Sequence, residues 1–130
     1  MSADREAKNI VVLGATGSIG DSSFGALASV GAGYRVLGMS GGAKVDKLSA
    51  LAAQWHPSYL CVPGVEQAAC LDASAARVLL GEAGLVEMAT LPEADLVING
   101  LVGAVGLQPT LAALEAGKVV AMANKEPMVD

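Results

Sequence analysis

Apolar residues fall along this chain in short bursts, and the segments between bursts change their period. Runs rich in Val, Ile and Leu at 9–13, 35–39, 59–62, 76–80, 96–98 and 119–122 are nearly continuous rather than alternating, the pattern of strands buried on both faces. Segments 18–29, 45–55, 65–71, 84–88 and 109–116 read instead as helices. Punctuation agrees with the last of these: Pro109 suits a first helical turn, and Gly117 suits the residue just past a helix end. Strand and helix alternate with no repeat, low-complexity linker or internal boundary. The alternation predicts an α/β domain, a doubly wound, mostly parallel sheet with helices on both faces and right-handed crossovers. Ligands of such sheets bind beyond the carboxyl ends of the strands. The loops after Leu13, Met39 and Met122 are therefore the places to look for chemistry.

The first of those loops is the most specific. Lys8-Asn-Ile-Val-Val-Leu13 runs directly into Gly14-Ala-Thr-Gly-Ser-Ile-Gly20, three glycines spaced by three, and then into an apparent helix. This is the strand–turn–helix with which Rossmann-like proteins cradle a dinucleotide pyrophosphate. Gly14 lets the strand turn tightly, Gly17 lets backbone approach phosphate with no Cβ between, and Gly20 lets the helix pack close to the strand. Ser18 is placed to cap that helix. The plainer reading is a glycine-rich turn with no ligand.

Composition narrows the partners. The chain has 130 residues, enough for one domain with a core, and 53% of them are hydrophobic against 16% charged. A net charge of −5 argues against nucleic acid or an anionic membrane surface, so an anionic cofactor has to be held by backbone amides and a few placed cations. The first eight residues are polar and mixed in charge, unlike a secretory signal, and no apolar run approaches the ~20 residues of a membrane helix. Cys61 and Cys70 lack metal-like spacing and read as buried thiols of a reducing cytoplasm rather than as a disulfide or ligands.

The second loop, residues 40–45, bears on which dinucleotide is accepted. Domains that prefer NAD carry an acidic side chain near this point to bond the ribose 2′-hydroxyl. Here Ser40, Gly41, Gly42 and Lys44 precede the first acid, Asp46, and this small, basic set suits the 2′-phosphate of NADP. The third loop holds an amide, a cation and an anion in sequence, Asn124, Lys125 and Glu126. Lys125 could hold a phosphate or carboxylate, and its neighbours could bond a ribose or nicotinamide. An ordinary charged turn is the competing reading. Glu93 and Asp95 read as a polar turn at the wrong end of a strand for a ligand, and His56 as a turn residue. No catalytic or metal-ligating group stands out within the chain.

Three segments together resemble one family. Asn99-Gly-Leu-Val-Gly-Ala-Val-Gly-Leu-Gln-Pro-Thr110, Leu111-Ala-Ala-Leu-Glu-Ala-Gly-Lys118 and Ala123-Asn-Lys-Glu126, joined to the glycine turn, resemble the N-terminal NADPH-binding domain of 1-deoxy-D-xylulose 5-phosphate reductoisomerase. The resemblance implies that residues 1–130 form that domain. It also implies that the family's metal-binding carboxylates, lid and substrate-phosphate pocket lie beyond Asp130. By the same resemblance, Thr16, Gly17, Ser18 and Ile19 meet the pyrophosphate, Gly42, Ala43 and Lys44 form the loop after the second strand, Asn124 and Glu126 contact NADPH, and Lys125 meets the sugar-phosphate substrate. Departures from the family pattern are Ala15 for a serine, a cation shifted by one place in Ala43-Lys44, and Pro127, Met128 and Val129 after the glutamate.

The parent enzyme so implied is a cytoplasmic, homodimeric oxidoreductase of isoprene biosynthesis. It rearranges 1-deoxy-D-xylulose 5-phosphate and reduces it with NADPH to 2-C-methyl-D-erythritol 4-phosphate, using manganese or magnesium. Residues 1–130 alone would then bind NADPH without turnover. The alternatives are a stand-alone NADP-binding module and another NADP-dependent oxidoreductase such as a semialdehyde dehydrogenase.

Overall fold

A computed structural model of the chain describes residues 8–30, 33–42, 44–72, 76–101 and 107–122. Among the described residues six strands alternate with five helices: β1 Lys8–Leu13, α1 Ser18–Val30, β2 Tyr34–Ser40, α2 Val45–Trp55, β3 Tyr59–Val62, α3 Val65–Cys70, β4 Arg77–Leu80, α4 Gly81–Ala89, β5 Leu96–Asn99, α5 Leu107–Glu115 and β6 Val119–Met122. The strands form one sheet in the order β4-β3-β2-β1-β5-β6. Every pairing among them is parallel.

The continuous apolar runs are explained by burial on both faces. In β1, Ile10 and Val12 pack with Phe24 and Leu27 of α1 and with Leu48 and Ala52 of α2. Val11 and Leu13, pointing the other way, pack with Met88 and Ala89 of α4 and Ala113 of α5. All four β1 side chains are 0% exposed, so a polar residue at any of them would lose its water with nothing to replace it. The order of strands reverses at β1: β2 lies on one side of it and β5 on the other. The helices that follow β1 and β5, α1 and α5, pack on opposite faces of the sheet, which makes the carboxyl end of β1 the switch point where doubly wound sheets bind their ligands.

Helix ends follow local chemistry. Gly117 has φ +81 and closes α5, with its N–H bonded to the Leu114 carbonyl at 3.0 Å and the Lys118 N–H bonded to the Ala113 carbonyl at 2.9 Å. That pair of bonds is the Schellman arrangement, which satisfies carbonyls the helix leaves open. His56 ends α2 in the left-handed region at φ 53, a turn residue as its sequence context suggests. α4 begins three residues earlier than its apolar spacing predicts, because Gly81 at φ +68 lets β4 pass into helix without a loop.

Candidate functional site

The glycine turn after β1 is built by its neighbours. Gly14 adopts φ +77, and a Cβ there would lie 2.9 Å from the Gly100 carbonyl carbon, so the turn and the end of β5 touch backbone to backbone. The Gly100 N–H donates to the Leu13 carbonyl at 2.8 Å. From the other side, the Gly14 N–H donates to Ser40 Oγ at 2.8 Å and the Ala15 N–H to the Ser40 carbonyl at 2.8 Å. Gly20 returns α1 onto this turn so closely that a Cβ would sit 2.0 Å from the Ala15 carbonyl oxygen. Ala15 itself is fully buried, so the small residue at this place belongs to the core.

Gly17 differs from these two. It is exposed, and a Cβ on it would meet only the Gly14 carbonyl oxygen, at 3.7 Å. No part of the described protein requires glycine there, so a side chain would extend into open space outside the turn. The Asp21 N–H donates to the Gly17 carbonyl at 3.0 Å, which makes Gly17 the cap of α1 and Ser18 its first residue. The expectation that Ser18 caps the helix is corrected by one position. The side chains of Ser18 and Ile19 lie outside the description.

The second loop is joined to the first. Ser40 is 2% exposed, and its oxygens hold the first turn rather than facing solvent. Its hydroxyl is thus removed from the phosphate-accepting set that its position in the sequence suggests. Thr16, 8% exposed, packs toward Gly41, where an added Cβ would stand 3.1 Å from Thr16 Cγ2. Thr16 is therefore held against the second loop through its methyl group. Gly42 and Lys44 are exposed, while Ala43 lies outside the described residues. Lys44, Val45, Asp46, Lys47 and Cys70 line an open pocket of about 470 Å³. Lys47 Nζ reaches Asp21 Oδ1 at 3.0 Å, linking the opening turns of α1 and α2.

A third contributor closes β5. Asn99, 4% exposed, donates from Nδ2 to Thr110 Oγ1 and accepts the Leu101 N–H on Oδ1 at 2.9 Å. It ties the end of the strand to α5 and so sets the wall against which Gly14 rests. Ser40 and Asn99 are the positioning residues that sequence reasoning missed. Their one signal is a lone polar residue ending an apolar run.

Other candidates fall away from this edge. The Asn9 N–H donates to Asp95 Oδ2 at 2.8 Å and Asn9 Nδ2 to the Glu93 carbonyl at 3.0 Å, a polar turn at the opposite, amino end of the sheet. Both cysteines are free thiols, but only Cys61 is buried. Cys70 is exposed because α3 is short and none of its residues is buried, which corrects the expectation of two buried thiols. Burial, and secondarily the negative charge of Glu87, push the Cys61 thiol up to about 11. Asn124, Lys125 and Glu126 lie outside the described residues.

A parallel sheet whose order reverses at β1, with a glycine turn at that point, defines a doubly wound α/β protein of the Rossmann-like class. The family model for 1-deoxy-D-xylulose 5-phosphate reductoisomerase matches residues 10–130, and the chain belongs to that family. The 1-deoxy-D-xylulose 5-phosphate reductoisomerase of Pseudomonas putida strain W619 is 48% identical across 94% of this chain, and that of Elusimicrobium minutum is 42% identical across 94%. The chain spans 32% of the length of each. Among solved structures, DOX-P reductoisomerase in complex with NADPH, fosmidomycin and magnesium matches with a TM-score of 0.84 at 38% identity, covering 92% of this chain and 30% of that one. The enzyme from Zymomonas mobilis in complex with NADPH matches with a TM-score of 0.81 at 31% identity, covering 92% of this chain and 32% of that one.

Proposed function

We propose that this chain is the NADPH-binding domain of a 1-deoxy-D-xylulose 5-phosphate reductoisomerase. The observation that carries the reading is the junction of the first two loops: an exposed Gly17 in a turn clasped by Ser40, with exposed Lys44 where NAD-preferring domains place an acid. A side chain at Gly17 would stand in the open space just outside the turn, where a pyrophosphate held by the turn's backbone would lie. Thr16, Gly17, Ser18 and Ile19 hold the pyrophosphate, and Gly42, Ala43 and Lys44 hold the 2′-phosphate. Asn124 and Glu126 contact the ribose or nicotinamide, and Lys125 meets the phosphate of the sugar substrate.

Bound NADPH supplies the hydride, and the protein positions and shields it. The acidic surface of the chain makes these local contacts decisive, since a net charge of −5 repels a polyanion in general. Among the described residues no group of three or more His, Cys, Asp or Glu could hold a metal ion. By the family resemblance, the magnesium or manganese of the reaction would be held by carboxylates outside residues 1–130. In that whole protein we place the rearrangement of 1-deoxy-D-xylulose 5-phosphate and its reduction to 2-C-methyl-D-erythritol 4-phosphate, in a cytoplasmic homodimer without nucleic-acid partners. No helix among the described residues is long and apolar enough to cross a membrane.

The test is a pair of assays. Residues 1–130 should bind NADPH yet show no metal-dependent NADPH oxidation with 1-deoxy-D-xylulose 5-phosphate, whereas a full-length family chain bearing this domain should turn over. Turnover by the 130 residues alone would place the catalytic carboxylates within this chain and overturn the reading.

A further inference from the structure

Lys44 and Lys47 lie three residues apart at the start of α2 and line the same open pocket, whose wall also holds Val45, the acidic Asp46 and Cys70. Lys47 contacts Asp21 through both carboxylate oxygens, at 3.0 Å and 3.1 Å. Asp21 stands in the first turn of α1, directly after the glycine turn. A carboxylate is thus presented to a lysine in the wall of the pocket next to which a 2′-phosphate is proposed to lie.

Resting on the NADPH reading, we propose that Lys47 is a second cation of the 2′-phosphate seat, and that Asp21 occupies it as an internal anion until the phosphate takes its place. A phosphate dianion facing Lys44 and Lys47 together outcompetes a single carboxylate facing one of them. The exchange is cheap because the pair is exposed: the Lys47 and Asp21 side chains are 38% and 58% accessible, so Asp21 returns to water at little cost. Lys47 is then a specificity-determining residue, and Asp21 sets how strongly it discriminates. NADH, with a 2′-hydroxyl, gains nothing from displacing Asp21.

Two variants break the same ion pair and separate this role from a merely structural one. Dissociation constants for NADPH, NADH and 2′,5′-ADP are measured on the 130-residue chain and on Lys47→Ala, Lys47→Arg and Asp21→Asn, with melting curves as a check on folding. Lys47→Ala should weaken NADPH and 2′,5′-ADP about tenfold and leave NADH within about twofold, and Lys47→Arg should restore most of the loss. Asp21→Asn should act in the opposite direction, raising the NADPH-to-NADH preference about threefold. If native protein binds NADPH but both variants keep its NADPH-to-NADH ratio, or both lower it, the role given to Lys47 and Asp21 is wrong and the cofactor reading stands. If native protein binds no NADPH, the cofactor reading fails and this inference with it.

Discussion

Ser40 shows how much one polar atom can organise. Its hydroxyl and carbonyl oxygens accept two N–H groups of the first glycine turn, in a position almost closed to water. Ser40→Ala should leave the Gly14 N–H without a partner and cost about 1–3 kcal/mol in urea unfolding, with weaker NADPH binding at unchanged NADPH-to-NADH ratio. This role was illegible in the sequence, where a serine ending a strand is equally suited to face a ligand or to tie backbone. Lys47 was illegible for another reason: its partner Asp21 is 26 residues away, and only the packing of α1 beside α2 brings them together. The thiols offer a separate check. With its pKa raised to about 11, Cys61 should resist a thiol reagent at pH 8 in the folded chain while Cys70 reacts at once. The sign of the linkage follows: between about 9 and about 11 the folded chain keeps a proton that the unfolded chain has released, so stability falls as pH rises through that window. Cys61→Ala should flatten the decline.

Strands and helices were far more legible than contacts between them. Residues 59–62 and 119–122 were expected as strands and 45–55 as a helix, and β3, β6 and α2 have those bounds. Such elements announce themselves because burial on both faces demands continuous β-branched runs, which few other environments tolerate. The start of α4 was missed because a glycine at positive φ leaves no turn signal between β4 and the helix. Close approach, by contrast, was readable at Gly20. Gly20→Ala should force α1 away from β1, since its Cβ would fall 2.0 Å from the Ala15 carbonyl oxygen, and cost about 1–3 kcal/mol in melting experiments. Truncation in the shared layer is expected to cost more: Leu60→Ala, at a site 0% exposed between β3 and the α1–α2 face, should lose about 2–5 kcal/mol.

The molecule as a whole is a doubly wound sheet with its glycine turn at the point where strand order reverses, and it covers 32% of its curated relatives' length. Its architecture and family were legible from the turn together with the segments at 99–118 and 123–126, and the family match over residues 10–130 agrees. What the sequence could not convey was which side chains of the two loops face solvent, because Ser40 and Thr16 turn inward while Gly17, Gly42 and Lys44 remain exposed. The most direct measurement is an NADPH titration, by fluorescence or calorimetry, of the native chain and of Gly17→Val. The glycine is exposed and a Cβ there meets only one atom, at 3.7 Å, so the variant should keep the native melting temperature within a few degrees. Native protein should bind NADPH at least about tenfold more tightly than NADH, and folded Gly17→Val should bind neither. Equal affinity for the two cofactors, or a folded Gly17→Val that binds NADPH like the native chain, would contradict the NADPH reading.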